Sequence, residues 1–305
     1  MKKIIKTTIL ILILLNSALI SQSTKPTIET GIKAQKAEFI PFDYSRSVSD
    51  AIPIWLVNVH NLRNNSKTIT PFFFIYKNLE KGFAVEFEYT KIQLERANFD
   101  SEIYTNPQIR RFKNYLTNNE RSDFKLNFLF FPSQQLNEYF SFGLGIRKID
   151  RLRNASVQNY SLEEKIIAHG PQIVMKSKIP LTDQLSINLG LDLYHTQGRR
   201  TYNYSAQYYY SFDNFSYIET VKDNGKTIGV FQGYEANVSL KYNFLENYNL
   251  AFGYNYNYAY FKYENLGDSI YYASSESKTI QQQNTKFSNG KEIIRGFYIS
   301  ASTVF

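Results

Sequence analysis

The amino-acid sequence predicts an all-β protein: a transmembrane, antiparallel, up-and-down β-barrel of about ten strands, with short turns at one end and long loops at the other. Three observations predict it. Bulky apolar residues alternate with small or polar ones in segment after segment. The links between these segments alternate between short and long. The chain opens on an export signal, and no later apolar run approaches the roughly 18 residues of a helical span.

The export signal is the stretch MKKIIKTTILILILLNSALISQS. Lys2, Lys3 and Lys6 precede an apolar core from Ile9 to Leu15, and the small residues Ser17, Ala18, Ser21 and Ser23 follow. About 12 apolar residues are too few to span a bilayer, so the segment reads as a cleaved signal peptide, residues 1–23, ahead of a single barrel domain, residues 24–305. The 305 residues include 25 Tyr, 24 Phe and one Trp. Tyrosine joins an apolar ring to a hydroxyl and suits a lipid–water boundary. With Ile and Thr, these aromatics favour strands. No cysteine is present, which excludes disulfides, thiol chemistry, Cys-based zinc sites and lipidation of an N-terminal Cys. The formal net charge of +8 falls to about +5 without the signal lysines. That is no nucleic-acid footprint, and an exported chain would meet none.

The strands follow in chain order. Glu29 to Ile40 is weakly patterned, and Thr68 to Asn78 is apolar on both faces and contains Pro71. Phe83, Val85, Phe87 and Tyr89 oppose Ala84, Glu86 and Glu88; Phe124, Leu126, Phe128 and Phe130 oppose Lys125 and Asn127. Phe140, Phe142, Leu144 and Ile146 face away from Ser141, Gly143, Gly145 and Arg147. Gln172 to Leu181 sets Ile173, Met175 and Ile179 against Lys176 and Lys178, and Leu185 to Leu193 sets leucines and Ile187 against Ser186, Asn188, Gly190 and Asp192. Ile228 to Phe244 is regular except for Gln232 on its apolar face and Phe231 on its polar face. In Leu250 to Phe261 every even position is large, the odd positions are Ala, Gly or Asn, and Phe261 breaks the rule. Ile293 to Phe305 closes the series.

Short links at 78–82, 132–138, 182–184 and 246–249 alternate with longer ones at roughly 46–66, 99–122, 155–163, 204–226 and 266–290. Such a rhythm fits tight periplasmic turns and extended extracellular loops. A ten-stranded sheet must close or leave two edges, and in hydrocarbon only closure pairs every backbone N–H and C=O. The apolar face then points outward to lipid and the polar face inward. A soluble sandwich would invert this; the loop rhythm, strand lengths and signal peptide together argue against it. Four successive outward tyrosines, Tyr254 to Tyr260, exceed what one interfacial girdle needs.

The last strand ends on Phe305 with Phe297, Ile299, Ala301 and Thr303 at alternate positions before it. In this it resembles bacterial outer-membrane β-barrel proteins, whose terminal strand characteristically ends in Phe after alternating hydrophobic residues. The resemblance runs over the pattern from about residue 28 to 305 and places the protein in the bacterial outer membrane. It implies that Phe297, Ile299, Ala301, Thr303 and Phe305 are read by the barrel-assembly machinery. Ala301 and Thr303 are smaller than the family's usual choices.

Inward positions gather Glu86, Glu88, Lys125, Arg147, Lys176, Lys178, Asp192, Glu235 and Lys241. Opposite signs on neighbouring strands allow cross-strand pairs. At this strand number such a lumen is expected to be mostly plugged by charged and polar side chains rather than open. A basic group, Arg147, Lys148, Arg151, Arg153, Arg199 and Arg200, stands where strands should leave the bilayer, and arginine forks suit the phosphates of lipopolysaccharide. The expected partners are therefore outer-membrane lipids, lipopolysaccharide and, during biogenesis, the assembly machinery, with no nucleic acid and an extracellular ligand that no residue pattern specifies. No cofactor or metal site is expected. Only three histidines exist, and His169 and His195 fall on outward positions with no family motif around Asp150 or Asp192, so no catalytic residues are assigned. The expected role is structural or binding, through the outer loops; the alternatives are a porin-like small-solute channel and a rim enzyme, either an omptin-like protease or a lipid acyl hydrolase or transferase.

Overall fold

In the computed structural model, the described residues are 26–42, 58–60, 65–94, 98–105, 108–115, 118–132, 139–157, 160–210, 215–223, 225–245, 247–265, 269–273, 276–280 and 289–305. The expected signal peptide lies outside them. Ten strands form the barrel: β1 (Thr27–Ile40), β2 (Asn65–Asn78), β3 (Phe83–Leu94), β4 (Asn118–Phe130), β5 (Phe140–Val157), β6 (Tyr160–Pro180), β7 (Leu185–Tyr210), β8 (Ile228–Leu245), β9 (Tyr248–Glu264) and β10 (Asn289–Val304). Each pairs antiparallel with its neighbours in sequence, and β1 pairs with β10 to close the ring. The seam is fastened at its lower end by Ile28 and Phe305, whose backbone N–H groups each donate to the other's carbonyl at 3.0 and 2.8 Å. Closure leaves no barrel strand with an unpaired edge, the condition a spanning sheet must meet.

The short-turn end is built by local side-chain caps. Asn78 Oδ1 accepts from the Lys81 N–H at 2.9 Å, and Gly82 completes that turn with φ of 71°, a conformation that suits a residue without Cβ. The Thr182 hydroxyl accepts from the Leu185 N–H at 3.0 Å in the turn between β6 and β7. Pro71 lies where the β2–β3 register slips between Ile69 and Phe72, so its missing N–H coincides with an irregularity in the ladder.

At the other end the strands outrun the sequence pattern. Four of the predicted long loops contain hairpins among the described residues, and two of these extend barrel strands. Residues 155–157 and 160–163 continue β5 and β6, so that Val157 pairs with Tyr160 across a two-residue link. Within 204–226, β7 runs on to Tyr210 and pairs with a strand at Phe215–Asp223. The pattern missed these extensions because above the bilayer the outward face no longer needs apolar residues, and the alternation that marks a strand fades. Further strands occupy parts of 99–122 and 266–290.

The faces follow the inside-out assignment. Leu144 (65% exposed), Ile299 (61%) and Phe297 (59%) stand outward with Ala301, while Phe305 is 75% exposed at the strand end and Thr303 is half-buried. Phenylalanines dominate the wall of β3–β5, where Phe83 stacks on Phe128 at 5.5 Å and Phe87 meets Phe124 edge-on at 4.8 Å. Above them the outward positions turn charged and pair with one another: Glu38 with Arg295 at 2.6 Å, Lys91 with Glu120 at 2.6 Å and Lys148 with Asp150 at 2.9 Å. The surplus tyrosines pack together at the top of the band on β8 and β9, with Tyr234 stacked on Tyr256 at 6.0 Å and on Tyr258 at 5.6 Å.

Candidate functional site

The interior holds three zones along the axis. The zone at the short-turn end is a cavity of about 520 Å³. Glu86, Glu88, Lys125, Lys176, Lys178, Asp192, Glu235 and Lys241 all line it.

Above the cavity lies a layer of buried charges. Lys125 donates to Glu235 Oε1 at 2.7 Å and lies 3.8 Å from Asp192 and 3.9 Å from Glu88. Lys33 donates to Glu88 at 2.6 Å. Arg147 grips Asp123 through Nε at 3.0 Å and also through Nη2, which lies 2.9 Å from Glu235 as well. Arg121 forks onto Asp123 at 2.7 and 2.8 Å and reaches Glu292 at 2.6 Å; Arg151 meets Glu292 at 3.1 Å. Arg121, Arg147 and Arg151 are the bulkiest fully buried side chains among the described residues.

Several of these pairs do not follow the neighbouring-strand pattern. Lys125 on β4 faces Arg147 in the β4–β5 register, and Asp192 on β7 faces Glu235 on β8. Like charges thus stand opposite each other on adjacent strands, a destabilising placement by itself. It is relieved across the lumen, where β4 reaches β8 through Lys125–Glu235 and β10 through Arg121–Glu292. Lower down, β8 reaches β1 through Lys241–Glu29 at 2.7 Å, and β6 reaches β3 through Lys176–Glu86.

The third zone is apolar. Phe42, Ile149, Ile166, Ala168, Tyr194, Phe231, Ala259, Phe261 and Tyr263 form one buried cluster inside the ring. Phe42, just past the end of β1, stacks on Phe261 with centroids 3.7 Å apart. Phe231 and Phe261, the two aromatic residues that interrupted the polar faces of their strands, are direct register partners. They are therefore two halves of one inward apolar layer rather than two errors of pattern. The arginines join this layer to the charges beneath it: Arg147 lies 4.1 Å from the Tyr194 ring centroid and Arg151 4.1 Å from that of Phe42. The planar, weakly hydrated guanidinium suits such a boundary better than an ammonium would. Above the cluster Glu164 accepts from Arg200 at 2.5 Å and Tyr263, and pairs with Arg153 at 3.0 Å.

The model of a family described as predicted outer membrane proteins of Leptospiraceae matches residues 24–305. The chain belongs to that family. It is a bacterial outer-membrane β-barrel protein. No curated protein matches it. Among solved structures it is similar to the outer membrane protease OmpT from Escherichia coli, at 10% identity, over 94% of this chain and 99% of that chain, with a TM-score of 0.49. It is also similar to the toluene transporter TodX of Pseudomonas putida, at 9% identity, over 95% and 90%, with a TM-score of 0.33. A FadL homologue of Pseudomonas aeruginosa follows at 9% identity, over 92% and 90%, with a TM-score of 0.26.

In this outer-membrane protein the expected lipopolysaccharide contacts divide. Arg147 and Arg151 are buried in the lumen, and Arg153 and Arg200 are held by Glu164, so these four are not free on the lipid-facing wall. Their strand parity places them inside, and the clustering in sequence concealed that. Lys148 and Arg199 are the two that face outward and are exposed. His169 and His195 are exposed too, and His195 Nδ1 lies 2.9 Å from Gln232 Nε2. Sequence reasoning missed Lys33, Arg121, Asp123 and Glu292 as members of the charge layer. For Arg121 and Asp123 the signal was there: extending the inward parity of Lys125 by two and four residues reaches both.

Proposed function

We propose that the protein is an outer-membrane barrel with a closed interior, serving a structural or binding role through its outer loops rather than conducting solutes. The observation that carries this reading is the stacking of a paired charge layer beneath an apolar layer, both buried. An ion crossing the lumen would have to break several short ion pairs and then enter a layer that offers no hydration. The space within the charge layer is about 20 Å³, room for about one water molecule. The refolded protein in planar bilayers is expected to give no steady conductance steps. Persistent open steps at modest voltage would overturn the closed interior and favour the small-solute channel.

Lipopolysaccharide is the lipid partner this reading retains, now through Lys148 and Arg199 on the outer wall. Their charges stand above the apolar band, where the phosphates of an outer-leaflet glycolipid would lie. Lys148→Ala with Arg199→Ala is expected to lower the lipopolysaccharide that copurifies with the folded barrel by severalfold; unchanged copurification would remove these two residues from the contact.

A further inference from the structure

The cavity at the short-turn end has two unlike walls. One, from β2 and β4 and the residue after β4, carries the apolar side chains Phe73, Ile75, Leu129 and Phe131, with Lys77 over the Phe131 ring at 5.3 Å and the paired carboxylates of β3 beside them. The other, from β7 and β8, carries Ser186, Asn188, Ser239 and Asn243. Those four hydroxyl and amide side chains have no side-chain hydrogen-bond partner among the described residues. The carboxylates around the cavity are largely answered: Glu29 by Lys241, Glu86 by Lys176, Glu88 by Lys33 and Glu235 by Lys125. A charged guest would have to break one of those pairs. A guest with an apolar face and a rim of uncharged hydroxyls or amides would break none.

From this we infer that the cavity is a binding site for a saccharide of one or two pyranose rings, entering from the periplasm. A pyranose carries an axial C–H face that packs on an aromatic ring and an equatorial rim that hydrogen-bonds amides and hydroxyls. The cavity volume lies within the usual range for small-molecule sites. Its lining includes Thr27, Asn243, Asn249 and Val304, all at the short-turn end, so its mouth opens there. The direction of entry rests on the closed interior proposed above; the site itself does not.

The absence of cysteine makes a clean reporter available. Ser300, half-buried in the cavity wall, is replaced in Ser300→Cys, and the refolded full chain in liposomes is treated with a charged thiol reagent. N,N′-diacetylchitobiose is the probe. The disaccharide is expected to slow modification about tenfold at saturation, and the added change Asn188→Leu, or Asn243→Leu nearer the mouth, to remove most of that protection. A modification rate that the disaccharide leaves unchanged up to about 10 mM overturns the site. Protection that survives both leucine changes overturns it as well. Conductance of the same liposomes is measured in parallel: a conducting barrel that still shows protection refutes the closed interior and leaves the saccharide site standing.

Discussion

Replacing Arg147 with Met is expected to destabilise the folded barrel by about 3–5 kcal/mol, the cost of leaving buried partners without their counter-charge. Arg147 is the centre of the charge layer: it holds Asp123, contacts Glu235 and lies under the Tyr194 ring. Methionine fills a similar volume, so the loss is electrostatic more than steric. Asp123 would keep Arg121, and Glu235 would keep Lys125, but neither pair was built to neutralise the other's surplus. Equilibrium unfolding in urea from lipid bilayers measures the change. The double variant Arg147→Met with Asp123→Leu should recover only part of it, since it removes one charge of each sign but also takes from Arg121 the carboxylate it forks onto. A single variant within about 1 kcal/mol of the parent protein would show that the layer is hydrated in solution and that its ion pairs carry little.

Leu144→Arg is expected to cost about 2–4 kcal/mol, the penalty for arginine near the bilayer midplane on a lipid-facing strand position. Leu144 stands between Phe142 and Ile146 on β5, opposite Phe128 and Ile173 on the flanking strands, all four exposed on the outward face. In an aqueous fold this substitution would remove an exposed apolar side chain and improve solubility at little cost. The sign of the effect therefore separates a wall facing hydrocarbon from one facing water. The measurement is the same urea titration, compared with Lys148→Arg, which lies in the charged belt and should stay within about 0.5 kcal/mol of the parent.

The wall was legible in the sequence because lipid enforces a period of two on every strand it touches. Phe124 to Phe130 or Phe140 to Ile146 can be read without knowing any neighbour, since each residue answers to the bilayer and not to a partner. Where that demand stops, the reading stops: β5 and β6 run on through 155–163, and β7 runs on through 204–210, without an outward apolar face to announce them. The two aromatic interruptions of the polar faces, Phe231 and Phe261, were legible as exceptions. Their meaning required the β8–β9 register and the arrival of Phe42 from beyond β1.

What the sequence by itself determined is the number of barrel strands, the face most of them turn to lipid and part of the set of charges turned inward. These are consequences of local parity and of the bilayer's refusal of unpaired backbone groups. What only the tertiary structure decided is which charges meet. Lys125 stands opposite Glu88 on one side and Arg147 on the other, and Asp192 stands opposite Glu235, so strand order alone does not give the close pairs. Closing the ring brings β4 within reach of β8 and β10, and the pairs form across the axis. The physical reason is geometric: parity fixes a direction for each side chain, while the partner at the far end of that direction is set by the radius and stagger of a closed barrel.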